Sequence, residues 1–281
     1  MRNWYDFILK KEKKDTLNRF DYTDEILQIN NENYKKNFDI ENFKKDNLCI
    51  KTYTYFKNNL KDKNTFFIGS SWGWVEYFLS KKYSLTASDV NDKYINFHKT
   101  NTKLNYIKFN IINENINIDF QNKYEQIVLN NLEYLLDQDQ FQKCLKNLSL
   151  IAKKKSDIYI IFRSKDSFLI KMIDNYLLPF ENLIIKYIKN ISGQKLFLTK
   201  NHHGYRRYER ELLNSIKMHD FEIQSIYRDM FEEEYKRVRI LRYFGISKLL
   251  SIIFFRFHPY LNIIHLKKNN GKFYIKIYRF F

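Results

Sequence analysis

An open α/β fold, in which a mostly parallel sheet carries helices on both faces, is predicted by three features of the sequence. From Thr65 onward, short apolar runs alternate with amphipathic stretches: FFIG, a helix from Val75, SLTAS, a helix from Lys93, NYIKFNI, YEQIVLN, a helix around Phe141 to Ala152, and SDIYIIFRS. Strand, helix and strand in repetition require crossover connections, which give parallel pairing with both faces covered. The first apolar run passes into its helix through Gly69-Ser70-Ser71-Trp72-Gly73, a turn punctuated by two glycines. Third, 281 residues that are 44% hydrophobic and 18% aromatic suffice for one large core.

The elements follow in order. Trp4 to Leu60 reads as short amphipathic helices broken by Asn-rich and Asp-rich stretches, so residues 1–60 are expected to form a helical N-terminal cap ahead of a main domain over 61–281. Past Ser164 come a long amphipathic helix (Phe168 to Asn190), a polar loop with His202, His203 and Gly204, the helix ERELLNSIKMHD and the strand FEIQSIY. A basic, aromatic insertion at about 229–258 follows, as a lid over a ligand or an amphipathic helix on a membrane face or partner. Asn270-Gly271 then predicts a type I′ hairpin between two strand-like runs. No internal repeat or Pro-rich linker divides the chain.

Composition excludes several classes of function. No stretch reaches the roughly 18 apolar residues of a membrane span, and MRNWYDFILKKEKK is too short and acid-flanked for a signal peptide, so a cytoplasmic protein is expected. Cys49 and Cys144 have no C-x-x-C partner or neighbouring histidine, which suggests buried thiols and no metal site. The net charge of +17 accompanies scattered lysines, two prolines, six glycines and only Ala87 and Ala152 as alanines, the drift of an AT-rich genome. A solvated surface explains that charge better than a polyanion groove, and specific nucleic-acid binding is not expected.

In an open α/β sheet, ligands bind at the carboxyl ends of the strands. Gly69 and Gly73 let the backbone approach a ligand there, and Asp89 ends the next strand about 20 residues on, the spacing at which an acid reaches ribose hydroxyls. A nucleoside-containing cofactor is the leading expectation. The structural alternatives are a tight turn for the glycines, a helix N-cap for Asp89, and packing for Trp72, Trp74 and His98.

From Thr65 to Ser164 the chain resembles the class I S-adenosylmethionine-dependent methyltransferases. Ile68-Gly69-Ser70-Ser71-Trp72-Gly73 aligns with their acid-apolar-G-x-G-x-G motif; Ser71 replaces the middle glycine and Phe67 takes the acid position. Asp89 matches the acid that binds the ribose, Val90 would lie against the adenine, and Asn110 stands where an Asp reads the adenine amino group. YEQIVLNNLEYLLD is similar to the fourth-strand phrase, with Asn130 and Asn131 at the strand's mouth and Glu133-Tyr134 in place of Glu-His. HHGYRRYERELLNSIKMHDFEI is similar to the late loop, helix and strand of small-molecule members, and the likeness extends over about the last three-quarters of the chain.

The resemblance implies a Rossmann-like, mostly parallel seven-stranded sheet with an antiparallel last strand. It implies S-adenosyl-L-methionine as cofactor, held by Gly69, Ser71, Gly73, Asp89, Val90, Asn110 and Asn130, with His202, His203 or Tyr134 as catalytic candidates. An alcohol acceptor needs its proton removed, which suits a histidine. The expected acceptor is a sugar, glycan-pathway or other small hydroxylated metabolite, with phosphate or lipid on it if the basic aromatic insertion faces it. The Asn/Asp-Pro-Pro-Tyr/Phe pattern of amino-methylating relatives is missing at Asn130-Asn131-Leu132-Glu133. A methyltransferase-like binding module, an RNA-directed enzyme and an NAD-dependent reductase stay open as alternatives.

Overall fold

The computed structural model describes residue 43 and residues 47–164, 166, 171–192, 207–230 and 260–268. The chain divides into two compact units, Met1–Asp46 and Asn47–Phe281, and the architecture below belongs to the second. Helix α1 (Asn47–Asn59) precedes β1 (Thr65–Ile68), α2 (Trp74–Ser80), β2 (Leu85–Asp89), α3 (Asp92–Asn101), β3 (Asn105–Lys108) and β4 (Tyr124–Leu129). Then come α4 (Gln138–Ile151), β5 (Ala152–Arg163), α5 (Leu178–Ser192), α6 (Glu209–Lys217), β6 (Phe221–Met230) and β7 (Tyr260–Lys268).

The seven strands form one sheet in the order β3-β2-β1-β4-β5-β7-β6. β1 pairs in parallel with β2 and β4, and further parallel pairs join β2 to β3 and β4 to β5. β7 runs antiparallel between β5 and β6. The expected mixed, Rossmann-like sheet is therefore present, with its last strand reversed.

β1 shows why the centre reads as a continuous apolar run: all four residues are buried, because helices cover both faces. Strand alternation sends Phe66 into a cluster with Tyr124 (stacked, ring centroids 4.3 Å apart) and Phe109, and sends Phe67 to the opposite face, against Phe56 of α1 at 5.7 Å. The position where the resemblance places an acid is thus an aromatic contact with α1. Two helices start at side-chain caps: Asn91 Oδ1 accepts from Lys93 N ahead of α3, and Asp137 and Gln140 form a capping box on α4. The cap of α3 is Asn91, so Asp89 is free of that duty.

The long helix predicted from Phe168 to Asn190 is helical over 171–192, with a π-turn at Ile173–Leu177. Pro179 accounts for it: proline has no N–H to give residue 175, and its ring presses on that carbonyl. β5 bulges near Lys155 (φ 63°), and the Ser156 hydroxyl donates to Tyr124 O across the break. Cys144 is buried and Cys49 half-buried. Residues 1–42, most of the 229–258 insertion and the Asn270-Gly271 turn lie outside the described residues.

Candidate functional site

The candidate site lies at the carboxyl ends of β1, β2 and β4, around the loop from Gly69 to Gly73. Its backbone takes left-handed values at Gly69 (φ 78°), Ser71 (51°) and Gly73 (63°). Gly69 N and Ser70 N both donate to Ser88 O (3.0 and 2.9 Å), and Gly73 N donates to Ser70 O (2.8 Å). The Tyr106 hydroxyl donates to Ser71 O at 2.6 Å, and His98 Nε2 donates to Trp72 O at 2.9 Å. The loop is therefore pinned by β2, β3 and α3.

His98 and Tyr106 stack 4.7 Å apart behind the loop, and a Cβ at Gly73 would sit 2.9 Å from His98 Nε2 and 3.1 Å from Tyr106. Glycine at 73 is a packing requirement. With Nε2 donating to Trp72 O, Nδ1 is left to accept from Thr102 Oγ1 at 2.8 Å. Burial lowers the pKa of His98, which fits this neutral, structural role. Trp72 packs edge-on against Tyr94 and Phe97.

Asp89 is the electrostatic centre of the β2 side. Its Oδ2 accepts from Ser71 N (3.0 Å) and its Oδ1 from Asn91 N (3.1 Å). Burial raises its pKa, against the opposing effect of the backbone donors at Asn91, Ser71 and Val90. A carboxylate offers about four lone-pair sites, so capacity remains on it for a hydroxyl donor. Val90, 40% exposed, leaves apolar surface beside it, and Asn110 lies two residues past β3 with its Oδ1 accepting from Ile112 N.

On the β4 side, sequence reasoning named Asn130 but missed the acid it bonds to. Glu76, in the first turn of α2, is 1% exposed and accepts from Asn130 Nδ2 at 2.9 Å. Its other oxygen has no hydrogen-bond partner, and neither has the buried Ser70 hydroxyl, which lies close enough to favour ionised Glu76 but outside bonding geometry. Burial, and secondarily the charge of Asp89, push Glu76 up to about 7. Its signal in the sequence was an acid inside the apolar run WVEYFL.

Tyr134 lies in the short turn after β4, and its backbone N–H donates to the Glu133 carboxylate. Arg207, also missed, fastens that turn: its guanidinium donates to Glu133 O, Leu136 O and Asp137 O and lies over the Phe141 ring. The structure thus brings Gly69, Ser71, Gly73, Asp89, Val90, Asn110, Asn130 and Tyr134 to one end of the sheet; His202 and His203 lie outside the described residues. Among the described residues, no cluster of His, Cys, Asp and Glu could hold a metal ion, and no helix is long and apolar enough to cross a membrane.

Ser71 supplies its backbone to both Asp89 and Tyr106 while its side chain is exposed. A non-glycine residue in the left-handed region costs about 1 kcal/mol, and the added chain entropy of glycine offsets much of that gain. Ser71→Gly is therefore expected to shift the melting temperature by no more than a few degrees, with nucleoside affinity unchanged. A large loss of either, by thermal unfolding or titration, would show that the hydroxyl has a role of its own.

No family model matches the chain, and no curated protein matches it in sequence. Solved structures do. An S-adenosylmethionine-dependent methyltransferase from Methanosarcina mazei superposes with a TM-score of 0.50 at 15% identity, over 76% of this chain and 96% of that one. The [4+2]-cyclase SpnF gives 0.51 at 10% identity over 79% and 81%. A protein from Pyrococcus horikoshii OT3 gives 0.50 at 8% identity over 83% and 97%. With the strand order, the reversed β7 and the glycine loop facing Asp89, these likenesses establish that the chain has the fold of the class I S-adenosylmethionine-dependent methyltransferases.

Proposed function

We propose that this protein is a cytoplasmic S-adenosylmethionine-dependent methyltransferase acting on a hydroxyl of a sugar, glycan-pathway or other small acceptor. The observation that carries the reading is the anchored Asp89 carboxylate, which keeps accepting capacity beside a glycine loop and an exposed Val90. The residues present fit the cofactor. Asp89 would hold the ribose, Val90 and Asn110 the adenine, and the loop and Asn130 the methionine end. When bound, the cofactor supplies an electrophilic methyl group on a sulfonium.

The chain's own part is to align and desolvate, since methyl transfer is an in-line displacement in which charge disappears. His202 and His203 are the proposed bases for the acceptor hydroxyl. Arg207 is fixed on the turn after β4. Tyr134, in the same turn, is the alternative group on the acceptor side. An acceptor with phosphate or lipid, contact of the 229–258 segment with a membrane face, and no specific nucleic-acid partner complete the reading.

A second reading, a binding module without transferase activity, draws support from Phe67, whose place in the aromatic packing leaves no acid at that position. The cyclase likeness also shows that this fold does not dictate methyl transfer.

Calorimetric titration with S-adenosylhomocysteine and NAD tests the proposal. S-adenosylhomocysteine is expected to bind, and Asp89→Ala to weaken it by about 1.5 to 3 kcal/mol, roughly ten- to 150-fold. Asp89→Asn should lose nearly as much, because one amide oxygen cannot serve both Ser71 N and Asn91 N. Binding of NAD alone would transfer the site to a reductase.

A further inference from the structure

We propose that Glu76, Ser70 and Asn130 form a receptor for a primary ammonium group, which takes over on α2 the charge lost at Phe67. The inference rests on the cofactor reading above and assigns its amino-acid end. Glu76 is 1% and Ser70 5% exposed, and each holds a polar oxygen without a hydrogen bond. Such an arrangement is costly: burial penalises the charge on Glu76, and Ser70, although near enough to favour the ionised form, makes no bond to Oε2 within bonding geometry. Asn130 serves only Oε1. The chemistry that completes the group is a cation with several N–H bonds, able to give one to Glu76 Oε2 and another to Ser70 Oγ.

Topology gives the direction. β1 lies between β2, which ends in Asp89, and β4, which leads to Asn130. A nucleoside whose ribose is held at Asp89 and whose base lies toward Val90 and Asn110 has its other end directed across β1. Glu76 is on that side.

Glu76 at about 7 still holds a proton in much of the population at neutral pH, and a cation beside it favours ionisation, so binding must release that proton. Among the described residues, the titratable groups acting on it are Asp89, whose charge opposes ionisation, and Tyr106, which burial keeps neutral.

The experiment compares S-adenosylhomocysteine with 5′-methylthioadenosine, which keeps the nucleoside and sulfur but has no amino-acid end. Calorimetry near pH 7, in buffers of different ionisation enthalpy, should show release of a fraction of a proton with the first ligand and none with the second. Glu76→Gln should weaken S-adenosylhomocysteine about tenfold or more, leave methylthioadenosine unchanged and abolish the proton release. Ser70→Ala should act in the same direction with smaller effect. If the parent binds S-adenosylhomocysteine but Glu76→Gln leaves its affinity and proton release intact, or weakens both ligands equally, the receptor is overturned and the cofactor reading stands. If the parent binds neither ligand, both fall.

Discussion

Glu76→Gln is expected to stabilise the unliganded protein by about 3 kcal/mol at pH 8 and by nothing measurable near pH 4. The pKa of the buried carboxyl lies at about 7 in the folded chain against an ordinary value of 4.5, and each unit of difference is worth about 1.4 kcal/mol. Between those values the folded state keeps a proton that the unfolded state has lost, so stability falls as pH rises and levels off above about 7. Below the unfolded value both states are protonated and the difference vanishes. Gln keeps the oxygen that accepts from Asn130 and has no charge to desolvate, although its amide must find the Ser70 hydroxyl. His98 and His219, lowered by burial, bias stability the opposite way at acidic pH, but they are common to both proteins and cancel in the comparison. Urea unfolding of parent and variant from pH 4 to 8 gives the result directly; parallel curves would mean that Glu76 is ionised at ordinary cost.

Such a cost in the unliganded state is what a binding group incurs when its partner is missing. The two uses of Glu76→Gln are thus coupled in sign: one substitution should strengthen the empty fold and weaken the liganded one.

The sheet was legible in the sequence because its strands are buried on both faces: TFFI and YEQIVL stand out as apolar runs between polar-faced helices. Asp89 was legible because its distance from the glycine loop reflects one strand-helix-strand unit. The place of β7 between β5 and β6 depends on pairing over long sequence separations, which periodicity does not encode; its reversal was expected only from the resemblance.

On the β2 side Asp89 stood out in the sequence; on the β4 side Asn130 did, but its buried partner Glu76 did not. A search by motif asks what stands at Phe67 and finds a phenylalanine, whereas the fold presents its buried acid nine residues later, at Glu76. Strand alternation explains the exchange: a side chain at 67 points toward α1, where Phe56 makes an aromatic contact worth more than an isolated charge. Arg207 escaped notice because its shortest bonds are to main-chain carbonyls, which carry no residue-specific pattern.

Gly69→Val tests the loop itself and should have the larger effect on binding. A Cβ at 69 would lie 3.1 Å from Leu132 Cβ and 3.5 Å from Asn130 O, so the added side chain is directed at the turn after β4 and not at open ligand space. The left-handed backbone at φ 78° adds about 1 to 2 kcal/mol of strain for a branched residue, and the Leu132 contact brings the expected destabilisation to about 2 to 4 kcal/mol. Moving Asn130 also disturbs its bond to Glu76, so binding of S-adenosylhomocysteine should weaken by at least about 100-fold even in the fraction that remains folded. Leu132→Gly in the same chain removes the Cβ contact but not the strain at 69, and should restore part of the stability while leaving binding poor. Parent-like affinity in Gly69→Val would place the nucleoside away from this loop, and full recovery in the double variant would show that packing against Leu132, not backbone conformation, is what requires glycine at 69.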